Sequence, residues 1–322
     1  LSDGDDWTEA AATAAGVIRS TEVDDIHLGS CTTPTSVAMP AALLIGAQPS
    51  PEAAEDAIRI GVELMVRLGL AIHGPEVLYK GVWPTCFSTP LGVAAVAARL
   101  WGLGEEATVN ALSMALMVSS GRTGRFNGTP TGRWVLLRCA VQNGLRAAHA
   151  ARKGYKGDPS LLDGEWLKNA QGLDADLSLL TSGFDSSLSL PGLGAKPFST
   201  ARQALSATQA LIALLNEGLA VERIKSIRVF VPPAYQRMIS QPIDRNSRSS
   251  GYVSAPFQMA LAALRPEGLW DLDRSRVMQD DALYAFAARI SVDADPELQK
   301  AYPARWQARI EVETEAGVMT RT

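Results

Sequence analysis

Glu22-Val-Asp-Asp-Ile-His-Leu-Gly-Ser-Cys-Thr-Thr-Pro-Thr-Ser-Val37 sets three carboxylates, an imidazole, a thiol and several hydroxyls in one short run. On either side the chain is apolar and built from small residues, from Thr8 to Ser20 before it and from Val37 to about Ile45 after it. Both flanks read as buried helix. The polar run therefore reads as a loop between packed helices, where a helical protein usually carries its chemistry. A purely structural reading makes Thr35 or Ser36 the N-cap of the second helix. A cap accounts for one or two of these residues and leaves the carboxylates and His27 unexplained.

The alternation of helix and polar loop continues outward. Pro40 starts or kinks the helix after the loop. Glu52 to Leu70 is amphipathic, with acidic residues in its first turn as the helix dipole favours. Tyr79 to Pro90 reads as a second polar and aromatic loop, followed by helices from Leu91 to Trp101 and from Glu105 to Ser119. A glycine-rich loop with Arg122, Arg125 and Arg133 precedes a helix from Trp134 to Lys153, and residues 154–195 read as a connector. A helix from Thr200 to about Asn216 follows Lys196-Pro197. Then the period changes: Ile227, Val229 and Val231 alternate with polar residues, as do Ala308, Ile310 and Val312, the pattern of half-buried strands. The expected fold is mainly α, with an all-helical domain over 1–193 and an α+β domain over 194–322.

Bulk composition narrows the partners. The net charge is −4, from 30 basic and 34 acidic residues with no basic tract, which argues against nucleic acid or an anionic membrane surface. No apolar run is long enough to span a bilayer. Cys31, Cys86 and Cys139 are well separated and His27, His73 and His149 are the only histidines, so neither a disulfide frame nor a metal cluster is expected. The cysteine usage and the lack of a signal peptide at Leu1-Ser-Asp-Gly-Asp-Asp6 predict a cytoplasmic protein, read from within a longer chain.

Each motif carries a plainer alternative. Glycines at 121, 124, 128 and 132 with the three arginines suit a bound carboxylate or phosphate, or else form a solvated loop. The loop lacks the G-K-[ST] of a P-loop and the preceding strand of a dinucleotide fingerprint. In the Trp83 loop, Thr85, Cys86, Ser88 and Thr89 either contact a substrate or cap the helix after Pro90. Cys86 as a nucleophile needs a base that the sequence does not supply. Ser113 and Ser119 lack G-x-S-x-G, which excludes the common serine hydrolase arrangement. Lys196 either faces a ligand cleft or is a solvated linker lysine.

Several segments together resemble the MmgE/PrpD family, whose members include 2-methylcitrate dehydratases, cis-aconitate decarboxylases and iminodisuccinate epimerases. They are Asp24-Asp25 with Thr33-Pro34, Trp83-Pro-Thr leading to Pro90-Leu-Gly-Val-Ala-Ala95, Gly144-Leu-Arg-Ala-Ala148 with Lys153-Gly-Tyr-Lys-Gly157, and Lys196-Pro-Phe198 before a helix. The resemblance covers essentially the whole chain and implies a helical domain with an α+β lid, a homodimer, a site between the domains and no cofactor. It also implies further helices before Leu1 and after Thr322. Where the decarboxylase and dehydratase branches carry histidines, this chain has Thr33, Trp83 and the Thr200-Ala-Arg202 run. Where they carry a lysine after Gly-x-x-Thr, it has Gly132-Arg133.

The reactions of the family share proton removal or return at carbon next to a carboxylate. Such a step needs cations, a base and an acid. The expected catalytic set is Asp24, Asp25, His27 and Lys196, with Glu22 a further proton carrier; alternatively Asp24 or Asp25 orients His27 as the base. Arg125 and Arg133 join Lys196 as clamps on a small carboxylic, amino- or imino-acid. Glu22, Thr33, Trp83, Thr85, Cys86, Arg202 and Tyr252 complete the expected substrate contacts. The different alternative is a non-catalytic relative that binds a carboxylate metabolite or serves as an assembly partner.

Overall fold

The computed structural model describes residues 6–45, 49–124, 131–163, 165–183 and 192–322; Arg125 lies outside them. The chain divides into two compact units. Of the described residues, those of 6–20 and 24–195 form the first unit, and 21–23 with 196–322 form the second. The protein is mostly helical, with its larger sheet in the C-terminal region.

The first unit contains α1 (Asp6–Ser20), α2 (Thr35–Leu44), α3 (Pro51–Ala71), α4 (Gly74–Val77), α5 (Pro84–Leu100), α6 (Glu105–Met117), α7 (Gly132–Arg152), α8 (Trp166–Asn169) and α9 (Ser178–Thr181). Ser50 caps α3 by accepting the Ala53 N–H at 3.2 Å, and Pro51 opens the first turn. Helix α5 is the hub, packed against α3 and α7, while α1 packs against α2 and α7. Small residues permit the close approach. A Cβ placed on Gly61 would lie 2.5 Å from Val96 Cγ2 and 3.0 Å from the Gly92 carbonyl, so α3 and α5 can cross there only without a side chain. Leu68, Ile72, Phe87, Leu91 and Leu116 form a core that Leu161, Leu167 and Leu173 complete. The 154–195 connector is thus also a source of core residues, each buried leucine contributing about 1.5–3 kcal/mol.

Three local expectations are corrected. The loop expected up to Pro90 is helical from Pro84 onward: Trp83 is extended, Pro84 takes the first helical position, and α5 continues through Pro90. Ser88 and Thr89 do not cap a helix; their hydroxyls donate to the Pro84 and Thr85 carbonyls, at 2.8 and 2.7 Å. Neither Thr35 nor Ser36 caps α2, which begins after Pro34 without a side-chain cap. Thr35 donates instead to Asp25, and Ser36 to the Thr33 carbonyl at 2.7 Å.

Two short antiparallel strands, β1 (Asp25–His27) and β2 (Leu193–Ala195), pair Asp25 with Ala195 and His27 with Leu193. They place the organising loop beside the stretch that leads to Lys196.

The second unit contains α10 (Arg202–Asn216), α11 (Pro233–Ile239), α12 (Arg248–Val253), α13 (Ala255–Leu264), α14 (Asp281–Ala287) and α15 (Pro296–Gln299). Its sheet combines β3 (Ser226–Val231), β4 (Ile290–Ala294), β5 (Arg309–Thr314) and β6 (Gly317–Arg321) in the order β4-β3-β5-β6. The β3–β4 pair is parallel and the others antiparallel. Ile227, Val229, Val231, Ile310 and Val312 are buried while Arg228 points to solvent, the period-2 pattern of the sequence. Helix α10 packs on α13 and β5.

Candidate active site

In the first unit, β1 and the turn after it fix the ionisable residues of the organising loop. The Thr35 hydroxyl donates to Asp25 Oδ1 at 2.5 Å, and its N–H donates to Oδ2 at 3.3 Å. Burial pushes the Asp25 carboxyl above the usual carboxylate range; the Thr35 hydroxyl opposes the rise and Asp24 adds to it. Asp24, one residue earlier, has a different setting: Arg19 Nη1 lies 3.1 Å from its Oδ2, with both side chains buried. Adjacent carboxylates thus occupy opposite environments, one matched by a guanidinium and the other desolvated and held by a hydroxyl.

His27 is fixed from one side. The Ser30 N–H donates to Nδ1 at 3.1 Å, and Ser30 Oγ lies 3.0 Å from Nδ1 and 2.7 Å from Thr32 Oγ1. With Nδ1 accepting, hydrogen bonding assigns the neutral ring's proton to Nε2. Burial lowers the pKa of His27, and the Glu63 carboxylate opposes the lowering. With Nδ1 occupied by Ser30, the neutral ring presents a hydrogen-bond donor at Nε2. Backbone crowds that edge: a Cβ on Gly192 would lie 2.7 Å from Nε2.

Arg19 also joins an aromatic stack. Its guanidinium lies 5.4 Å from the Trp83 ring and 5.7 Å from that of Trp134, and the two indoles meet edge to face at 5.8 Å. Arg133 covers Trp134 at 4.3 Å. Trp83 is thus buried beside a guanidinium. Sequence reasoning missed Arg19 and Trp134. A basic residue in the last turn of an alanine-rich helix reads as a dipole partner, and a tryptophan opening a helix reads as core.

Thr33, Thr85 and Cys86 are not open substrate contacts. The Thr33 N–H donates to Thr85 Oγ1 at 3.1 Å, the two hydroxyls lie 3.3 Å apart, and both residues are buried. Cys86 is fully buried with Sγ 3.6 Å from the Ser120 carbonyl. Burial pushes its thiol up to about 12, which excludes a thiolate nucleophile at neutral pH. A cavity of about 630 Å³ in this unit, lined by Glu105, Glu106, Asn110 and Lys156 among others, includes none of the expected residues. Among the described residues, no group of His, Cys, Asp and Glu side chains could hold a metal ion.

In the second unit, Glu22 and Lys196 form a buried ion pair, Nζ to Oε2 at 2.8 Å. Glu22 adopts a left-handed backbone, φ 55°, unusual for a residue with a Cβ. Lys196 is therefore not the solvated linker lysine of the plainer reading. Arg202 belongs elsewhere in this unit: its Nη1 donates to Ser206 Oγ at 3.4 Å, and burial lowers its pKa against the opposing effect of Tyr235. Tyr252 is buried, with its hydroxyl donating to the Leu272 carbonyl at 2.7 Å, and its own carbonyl accepts the Ala201 N–H at 2.9 Å. Both residues thus make hydrogen bonds within the second unit.

The family model described as MmgE/PrpD N-terminal domain matches residues 5–176, and that described as MmgE/PrpD C-terminal domain matches residues 198–322. A cis-aconitate decarboxylase-like protein, oryM, of Aspergillus oryzae (strain ATCC 42149 / RIB 40), is 28% identical over 169 residues, 48% of this chain and 34% of that protein. The chain thus matches about a third of the length of this relative. No helix among the described residues is long and apolar enough to cross a membrane.

Proposed function

This chain belongs to the MmgE/PrpD family, and from that premise we propose that it is a cofactor-independent lyase or isomerase/epimerase. Its reaction moves a proton at carbon next to a carboxylate of a small carboxylic acid, with amino- and imino-acids in the candidate class. The observation that carries the reading is the divergence of Asp24 and Asp25. A desolvated carboxyl held by a hydroxyl suits a proton carrier, while a carboxylate set against a guanidinium suits an anchor. Asp25, whose proton affinity burial raises, is the proton carrier. Asp24 anchors Arg19. The Nε2–H of His27 donates to substrate oxygen. Lys196 and Arg133 supply positive charge for the substrate carboxylate and for the enolate-like charge that develops as the proton leaves.

Solvent deuterium exchange tests this. Di- and tricarboxylates with their amino and imino analogues are incubated in D₂O with wild type, Asp25→Asn and His27→Gln, and followed by NMR. Exchange at the carbon next to a carboxylate, lost in Asp25→Asn and slowed in His27→Gln, is the expected result. A homodimer accompanies the reading; exposed Val17, Met39 and Leu43 on the neighbouring helices α1 and α2 support it, and sedimentation velocity tests it.

Two observations favour a second reading, a non-catalytic relative that binds a carboxylate or acts as an assembly partner. The ammonium of Lys196 is already matched by Glu22, and Thr33 and Thr85 bond each other. Saturable binding of a carboxylate with no exchange on any acid would establish that reading.

A further inference from the structure

The backbone that carries Lys196 is tied down at Ser199. Its carbonyl accepts from Arg274 Nη2 at 2.5 Å and from Gln258 Nε2 at 3.2 Å, and its N–H donates to the Leu269 carbonyl at 3.1 Å. The Ser199 hydroxyl donates to the carbonyl of Thr21, and the Thr200 N–H donates to the carbonyl of Glu22 at 3.4 Å. The two chain segments that meet in the Glu22–Lys196 pair are therefore joined through Ser199 and Thr200, all within the second unit.

Arg274 is an unexpected donor for this junction. It is fully buried, and its guanidinium lies 4.2 Å from the Tyr252 ring. Its described hydrogen bonds go to the carbonyls of Ser199, Leu269 and Asp271, and Nη1 has no hydrogen-bond partner among the described residues. Its backbone is left-handed, φ 56°. Burial pulls its pKa down to about 10 against the opposing pull of Tyr252 and Asp271. A buried guanidinium that makes no ion pair among the described residues is a poor stability device, and an apolar side chain fills such space at lower cost. What an apolar side chain lacks is a planar, charged donor that grips two carbonyls, Ser199 and Leu269, from one nitrogen.

We propose that Arg274 is a positioning residue for Lys196: by gripping the Ser199 carbonyl it fixes the turn that holds the Lys196 ammonium against the Glu22 carboxylate. This deepens the functional reading above, on which Lys196 is the catalytic cation. Arg274 acts through the backbone and has no substrate contact.

The test uses the full chain and needs no substrate. Lysines are acetylated by brief pulses of an N-hydroxysuccinimide ester, and mass spectrometry reads Lys196 against Lys300, whose side chain is 73% exposed. Arg274→Met is expected to raise Lys196 labelling about tenfold, the order of effect when a buried carbonyl loses a charge-assisted donor. Arg274→Lys, which keeps the charge without the fork, falls between Met and wild type. Gln258→Leu, which removes the second donor to the same carbonyl, raises labelling in the same direction and keeps the test decisive if Arg274→Met does not fold. The control is Arg309→Lys on β5, which alters the ion pairs of Arg309 to Asp295 and Glu311 and leaves Lys196 labelling unchanged at equal folded fraction. Equal rises in the control and the Arg274 variants, or unchanged labelling in folded Arg274→Lys and Gln258→Leu, would overturn the proposal. Deuterium exchange is measured separately on the same variants: its absence in wild type counts against the functional reading, while the labelling decides the positioning role.

Discussion

Glu22 and Lys196 stand 174 residues apart in the chain and meet at 2.8 Å, their side chains 5% and 2% exposed. At that burial neither charge has water to fall back on. Glu22→Gln or Lys196→Met alone is expected to cost about 3–5 kcal/mol, because each takes a close opposite charge away from a group that burial has desolvated. The double variant recovers most of that loss, since it removes both charges together. Urea unfolding of the four proteins gives the coupling energy. Additive losses would show that the contact contributes nothing as a pair.

Asp25 gives a stability dependence with a definite sign. Burial raises its folded-state pKa above the ordinary value of 3.8, so the folded protein binds the proton more tightly than the unfolded chain. Its contribution to stability is full below pH 3.8, declines as pH rises from there through the raised value, and is absent above it. Asp25→Asn is uncharged throughout and should lose this slope. The expected result is a variant that gains stability relative to wild type across that window and holds the gain at neutral pH, while its deuterium exchange disappears. Urea midpoints at a series of pH values check the first part. A wild-type–variant difference that does not change across the window would contradict the desolvated setting of Asp25.

Periodicity made much of this legible. The 3.6-residue pattern located α3, α6 and α10, and the period-2 runs at Ile227 and Ile310 located β3 and β5, because both signals depend on which face is buried. Polar composition marked the organising loop, but it could not say which side chains would be consumed by their neighbours. Thr33 and Thr85 lie 52 residues apart and bond each other, while Glu22 and Lys196 pair across most of the chain. Such pairings depend on tertiary approach, to which local spacing is blind. Arg19 and Arg274 were missed for the same reason: an arginine in sequence reads as surface until its burial is seen. Pro90 misled in the other direction. A proline within a helical pattern normally marks a boundary, and here α5 runs through it.

Cysteine reactivity separates exposure from sequence context. Cys139 is exposed, whereas Cys31 and Cys86 are buried. A disulfide reagent at neutral pH should modify Cys139 in the native protein and reach Cys86 only on unfolding, because burial holds that thiol protonated up to about pH 12. Mass spectrometry of quenched samples locates the labels. Rapid native labelling of Cys86 would mean that the start of α5 opens readily.

Gly194 lies on β2 and Gly192 immediately precedes that strand, yet replacing them should have opposite consequences. A Cβ on Gly192 would stand 2.7 Å from both Nε2 and Cδ2 of His27, closer than real carbon contacts allow, whereas one on Gly194 meets nothing nearer than 3.9 Å. Relief at Gly192 comes from the imidazole, since the next residue, Leu193, is held opposite His27 by the β1–β2 pairing. Gly192→Ala should therefore destabilise the protein by about 1–3 kcal/mol, the usual range for overpacking, and turn the ring toward water. His27 is desolvated in the wild type, which depresses its pKa below 6.5. The fold loses this residue's stabilising contribution as pH falls from 6.5 through that depressed value. Moving the ring into water restores the ordinary titration and removes the acid-side loss, so the destabilisation of Gly192→Ala relative to wild type should shrink as pH falls. Gly194→Ala leaves both the titration and the pH profile as they were. Imidazole ¹⁵N chemical shifts followed through the titration report the pKa and the tautomer together. An Nε2–H form in wild type and Gly194→Ala, with a raised pKa in Gly192→Ala, is the expected pattern; an Nδ1–H form in wild type would remove the donor role assigned to His27.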